Sequence, residues 1–225
     1  MNLSNFETKK AIIGMVIGDG CLSKFTGRKG TKVGNAYYQM THCKAQYEYL
    51  LWKKDILEKV AKCTIWENNH KAPNGKECEG YRLRSQSNPT YTRLHSRFYP
   101  INGKKSVDEY LVKMIDPLAL AIIFMDDGCI SKPMPKYYTK ETFTLSLCNF
   151  DYANLFLIKK SLKLQFDLEW NINKTSRKYY HLRLLNSNNQ KFVDIIYPYV
   201  SQVPSMMYKL GSYVRTSSTE DGDMI

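Results

Sequence analysis

The sequence has no Cys-x-x-Cys pair, no Walker-type glycine loop and no Ser/His/Asp nucleophile set. No apolar run approaches the roughly 18 residues that a bilayer span requires. Residues 1–6 lack the charged start and apolar stretch of a secretory signal, and they lack the Arg/Ser richness of a transit peptide. Zinc fingers, disulfide scaffolds, P-loop NTPases, membrane spans and exported proteins are therefore not expected. The six cysteines read as reduced and mostly buried thiols, and His42 beside Cys43 is too small a fragment to make a zinc site. Acid is also scarce. There are 21 Asp+Glu against 33 Lys+Arg, a net charge of +12 with a pI near 9.3, which makes nucleic acid the first partner to consider. The 43% apolar content and mean hydropathy of −0.45 fit a folded globular chain.

What the chain does have is a repeat. Asp19-Gly-Cys-Leu-Ser-Lys24 returns as Asp127-Gly-Cys-Ile-Ser-Lys132, each copy following an apolar run. Cys43 and Tyr47 parallel Cys148 and Tyr152, and Lys53-Lys54 parallels Lys159-Lys160. Trp66 is matched with Trp170, and Tyr81-x-Leu-Arg84 with Tyr180-x-Leu-Arg183. Each half then reaches a Tyr-Pro, at Tyr99-Pro100 and Tyr197-Pro198, and a following lysine, Lys105 or Lys209. This order implies a first half over 1–100, a linker over 101–115, a second half over 116–215 and an acidic tail over 216–225.

Within the first half, helical length over 6–18, with Asn5 as N-cap, is followed by a hairpin of 21–25 with 36–43. A helix over 46–61 buries Tyr47, Leu50, Leu51, Ile56, Leu57 and Val60. A second hairpin pairs 63–68 with 80–86, and a helix over 90–99 closes the unit. The order αββαββα recurs from Pro117. The fold class is α+β: a pseudo-twofold duplication with two antiparallel, saddle-shaped sheets and the two apolar motif helices at the centre. Phe143, Leu145 and Leu147 alternate with Thr142, Thr144 and Ser146, and Leu83 lies between Arg82 and Arg84. One sheet face is thus polar, as a major-groove reader or a plain solvated face would be; the charge favours the reader. Two acids at helix ends, next to unpaired carbonyls, call for a cation between them.

Ile12-Ile-Gly-Met-Val-Ile-Gly-Asp-Gly20 and Leu120-Ala-Ile-Ile-Phe-Met-Asp-Asp-Gly128 resemble the two signature motifs of a single-chain LAGLIDADG homing endonuclease. Phe124-Met-Asp-Asp-Gly128 and Met206-Met-Tyr-Lys-Leu210 are especially similar to a mitochondrial intron-encoded member of that family. The resemblance implies a monomeric, site-specific nuclease that cuts both strands of a long, pseudo-palindromic double-stranded DNA site and leaves short 3′ overhangs. It implies Asp19 and Asp127 as ligands for two or three shared Mg²⁺ ions, assisted by the backbone carbonyls of Gly18 and Asp126. The Asp126 side chain takes a secondary role. Lys105 and Lys209 match the family's active-site lysines. Lys24, Lys29, Lys32 and Lys132 become candidate phosphate contacts. Gln39, Thr41, Arg82, Arg84 and Gln86 in one half, and Thr144, Ser146, Asn171, Asn173 and Arg183 in the other, become candidate base readers. The alternatives are a maturase acting on its host intron RNA and a non-catalytic DNA-binding regulator. Lys, Asn and Tyr richness favours an organelle-encoded chain, with a bacterial source also compatible. In the second motif Ile122 stands where Gly14 does, leaving Ala119 and Ala121 as its small residues.

Overall fold

The computed structural model describes residues 2–26, 32–71, 77–100, 103–132, 141–175 and 179–213. The first helix, α1 (Asn5–Ile17), is capped by Ser4 rather than Asn5. Ser4 Oγ accepts the Glu7 N–H at 3.3 Å while Glu7 Oε2 accepts the Ser4 N–H at 2.8 Å, a reciprocal box that satisfies two orphan donors. Strands β1 (Cys21–Thr26) and β2 (Lys32–Cys43) follow, then α2 (Tyr47–Leu57) and β3 (Cys63–Glu67). A small ribbon, β4 (His70–Lys71) with β5 (Glu77–Cys78), leads to β6 (Gly80–Ser85) and α3 (Pro89–Phe98). A short helix, α4 (Glu109–Lys113), lies in the connection. The second half repeats the order with α5 (Pro117–Asp127), β7 (Gly128–Ser131), β8 (Thr142–Leu145), α6 (Tyr152–Phe166), β9 (Trp170–Lys174), β10 (Tyr180–Leu184) and α7 (Asn189–Val200). A 3₁₀ segment over Pro204–Tyr213 completes it.

Two four-stranded antiparallel sheets result, in the orders β1-β2-β6-β3 and β7-β8-β10-β9. The expected duplication is therefore the observed architecture. Cys21 opposes Gln39 and Gln39 opposes Arg84, just as Cys129 opposes Thr144 and Thr144 opposes Arg183. That register corrects the pairing of the two tryptophans. Trp66 opposes Arg82 on the open face, whereas Trp170 opposes Leu184 and is 1% exposed in the core. Asn173, opposite His181, holds the place of Trp66.

The helices behind the sheets are also rotated from expectation. Tyr49, Leu50, Lys53, Ile56 and Leu57 are the buried positions of α2, while Tyr47 and Leu51 are exposed. The same positions of α6 are Asn154, Leu155, Ile158, Ser161 and Leu162. Lys53 therefore corresponds to Ile158, not Lys159. The cysteines are free, but only Cys63 is buried; Cys43, Cys129 and Cys148 are exposed, on strands or turns whose other face makes the core. Thr142, expected on the polar face, is buried at 3%, with its hydroxyl donating to Asn186 Oδ1 at 3.3 Å.

At the centre α1 packs on α5, and every residue from Ala11 to Gly18 is buried. A Cβ on Gly14 would lie 2.7 Å from the Ala119 carbonyl oxygen and 2.8 Å from its Cα, so the helix axes can approach this closely only over glycine. Gly14→Ala must push two backbones apart, and a loss of about 2–3 kcal/mol is expected in denaturant unfolding.

Candidate active site

Each central helix runs into an Asp-Gly step, at the end of α5 and just past the Gly18 cap of α1, and because the helices lie side by side these ends meet. The Asp19 N–H donates to Asp126 Oδ2 at 3.2 Å. A Cβ on Gly18 would overlap that same oxygen, so the first tip accepts the second only as glycine. Asp19 is exposed and Asp127 half-buried, while the Asp126 side chain is sealed from solvent.

Helix C-termini carry unpaired carbonyls and the negative end of the dipole. A lysine answers at each. Lys105 Nζ donates to Gly18 O at 3.0 Å and Gly20 O at 3.1 Å. Lys209 Nζ donates to Met125 O at 2.6 Å, Asp126 O at 3.1 Å and Gly128 O at 3.0 Å. The carbonyls of Gly18 and Asp126, expected to assist a metal, thus already accept an ammonium. Each has a second lone pair. Burial lowers the pKa of both lysines, and the three aspartates oppose that shift.

A third lysine was not foreseen. Lys53, 0% exposed, lies against Asp126 Oδ1, 3.3 Å from His42 Nε2 and 4.1 Å above the Tyr49 ring. Burial first, then the Lys53 charge, pushes His42 down to about 3, so its imidazole is neutral and Nε2 accepts from the ammonium. Its sequence signal was a lysine in the apolar stripe between Tyr49, Leu50, Ile56 and Leu57. Three carboxylates, Asp19, Asp126 and Asp127, therefore face three ammonium groups, Lys53, Lys105 and Lys209.

Among the described residues, ligand atoms of Asp19, His42 and Asp126 lie within 4.8 Å of one another, but the Lys53 ammonium already occupies that cluster. Asp19 and Asp127 could hold a metal instead. Burial, followed by the charges of Asp19 and Asp126, pushes Asp127 up to about 7; Asp19, whose side chain reaches solvent but is crowded by the packed tips, is raised by partial desolvation and by Asp126. Two carboxylates held together against their charge, with oxygen donors only, fit a hard divalent cation.

Ionising Asp127 costs the fold stability. The folded protein holds a proton that the unfolded chain has released between about pH 4 and 7, so metal-free stability falls across that interval as pH rises. Asp127→Asn is expected to raise metal-free stability by on the order of 2 kcal/mol at pH 8 and to leave it unchanged near pH 4. Thermal unfolding in EDTA at the two pH values checks this.

The sheet faces extend from the helix tips. A hollow of about 390 Å³ reaches from Asp19 past Gln39 and Thr41 to Arg82. Arg82 donates to Gln39 Oε1 at 2.6 Å, and Gln39 Nε2 donates to Ser23 Oγ at 3.1 Å. The Arg84 guanidinium lies 4.0 Å over Tyr37 and 4.7 Å over Phe25, beside a second hollow of about 560 Å³ that includes Thr64, Trp66 and Gln86. Phe25, Tyr37 and Trp66 add an aromatic surface to a face that the alternation of residues marks only as polar. On the second sheet Thr144 and Arg183 lie opposite each other, with Asn171 across from Arg183. Ser146 follows β8, where its N–H donates to Asp127 O at 2.8 Å, and Asn173 is half-buried. Lys24 sits at an irregularity between Ser23 and Phe25, and Lys132 is exposed just beyond β7. Lys29 and the Lys32 side chain lie outside the described residues.

A sequence profile described as the LAGLIDADG DNA endonuclease family matches residues 9–192. The cytochrome b mRNA maturase bI2 of Debaryomyces hansenii is 30% identical over 218 residues, covering 92% of this chain and 75% of that protein. The protein of the same name from Saccharomyces cerevisiae is 27% identical over 224 residues; the match covers 93% of this chain but 48% of the relative. Among solved structures, the homing endonuclease I-WcaI bound to its DNA recognition sequence superposes with a TM-score of 0.77 at 19% identity, covering 93% of this chain and 88% of that one. An I-DmoI variant with its target DNA and magnesium gives 0.51 at 14% identity, covering 85% and 96%.

Proposed function

The chain belongs to the LAGLIDADG DNA endonuclease family, and from that premise we propose that it is a site-specific endonuclease hydrolysing one phosphodiester in each strand of double-stranded DNA. One observation carries the reading: the tips of the two central helices touch, the Asp19 N–H on Asp126 Oδ2 with Asp127 next in the chain, and each tip has a lysine on its carbonyls, in a chain whose halves each add a four-stranded antiparallel sheet. Asp19 and Asp127 would hold divalent cations, Mg²⁺ by chemistry, which when bound acidify an attacking water and stabilise the departing 3′ oxygen. Lys105 and Lys209, held on the tip carbonyls, place positive charge where the phosphate gains negative charge. The sheets supply register. In this reading Arg82, Arg84 and Arg183 read guanine edges, and Gln39, Thr41, Thr144, Asn171 and Asn173 read others. A monomer suffices because one chain carries both tips. Incubation with a randomised plasmid library in Mg²⁺, followed by sequencing of broken ends, tests this: one long preferred site with short 3′ overhangs is expected, and an uncut library rejects it.

A second reading rests on the maturase relatives. An intron-encoded chain of this kind, from a mitochondrial genome, would also bind its host intron RNA and assist splicing. An in vitro splicing reaction with and without the protein decides it. Arg84→Ala and Arg183→Ala separate reading from plain attraction. Each is expected to weaken the preferred site by about 1–3 kcal/mol and to relax preference at one base position; a uniform loss over all sequences would assign that arginine to phosphates.

A further inference from the structure

The Lys53 cluster has a counterpart related by the duplication, and the counterpart is apolar. Carried two residues past the end of β8, the register that aligns Gln39 with Thr144, like the repeat that matches Cys43 with Cys148, puts His42 level with the buried Leu147, and the buried positions of α2 and α6 align Lys53 with Ile158. Asp126 aligns with Gly18 in the repeated motif. His42, Lys53 and Asp126 on one side are thus matched by Leu147, Ile158 and Gly18 on the other; all three polar positions have changed together.

The consequence falls on the tips. Asp126 Oδ2 accepts the Asp19 N–H at 3.2 Å, reaching across from the second half, while Lys53, fixed by His42, holds the other carboxylate oxygen. With both side chains sealed from solvent, Asp126 cannot turn away without leaving a buried charge unpaired. Gly18 has no side chain to return the favour to Asp127. We propose that Asp126, locked by Lys53 and His42, is a positioning residue for Asp19 that makes the two tips unequal, so that the two DNA strands are nicked at different rates. The proposal rests on the endonuclease reading above.

The test compares two full-length variants with the wild type on a duplex labelled on both strands. Asp126→Gly/Lys53→Ile/His42→Leu copies the apolar half and removes the acceptor. Asp126→Asn/Lys53→Met removes both charges but keeps an oxygen that can accept the Asp19 N–H. The first is expected to change the ratio of strand-specific nicking rates by about fivefold or more, and the second to keep it within about twofold. Unfolding in EDTA supplies an independent readout: Lys53→Met alone should lower Tm by roughly 10 °C, and the triple variant should recover most of that loss. A wild-type ratio retained in the triple variant, or lost equally in both, overturns the proposal, as does an unaltered Tm in Lys53→Met. A wild-type protein that leaves DNA uncut instead overturns the endonuclease reading, and the strand bias falls with it.

Discussion

Asp19→Asn and Asp127→Asn are each expected to lower double-strand cleavage by about a thousandfold or more while target binding changes less than about tenfold. Asparagine keeps the shape of the side chain but offers only a neutral oxygen, a far weaker ligand for a hard cation. Because the tips are in contact, through the Asp19 N–H and Asp126, loss of charge at either one alters the ground shared by both. In the proposed reading binding is carried elsewhere, by lysines and arginines along the sheets. Conversion of a supercoiled plasmid carrying the target reads nicked and linear products separately; a single variant that still linearises at the wild-type rate rules out a shared site. The Asp127 variant should at the same time be the more stable metal-free protein at neutral pH, since its carboxyl is held up at about 7 by burial and by neighbouring acids.

Salt should have an effect of comparable size. With a net charge of +12, raising monovalent salt from about 50 to 200 mM is expected to weaken DNA binding by about three to five orders of magnitude, if six to ten phosphates are neutralised. Anisotropy titrations give the slope of log K against log salt directly. A slope shallower than about −3 would mean that the basic faces do not track the DNA backbone.

Much of this could be read from the residues. The repeated Asp-Gly-Cys segment, two hairpins per half and the alternation around Leu83 and Phe143 are local patterns of period or identity, and each corresponds to a structural element. The errors came from long-range packing. Trp66 and Trp170 look equivalent as letters, but only cross-strand register shows that one faces out and the other in. Lys53 reads as one member of a repeated Lys-Lys pair, because sequence periodicity cannot show that a carboxylate from the other half arrives to neutralise it. The landmark prolines likewise differ: Pro100 follows the end of α3, whereas Pro198 lies inside α7, so Lys105 and Lys209 reach their tips by paths of different length.

The glycine-to-alanine seam between the central helices, together with the one-sided lysine behind it, limits how this chain can be recombined. Its first half carries a buried cation whose counter-ion lives in the other half. Grafted onto a foreign partner lacking an acid before the terminal aspartate of its motif, that half would enclose an uncompensated ammonium; grafted the other way, the second half would enclose an orphan carboxylate. Chimeric enzymes built from it are compatible only when Lys53 and Asp126 travel as a matched key and lock.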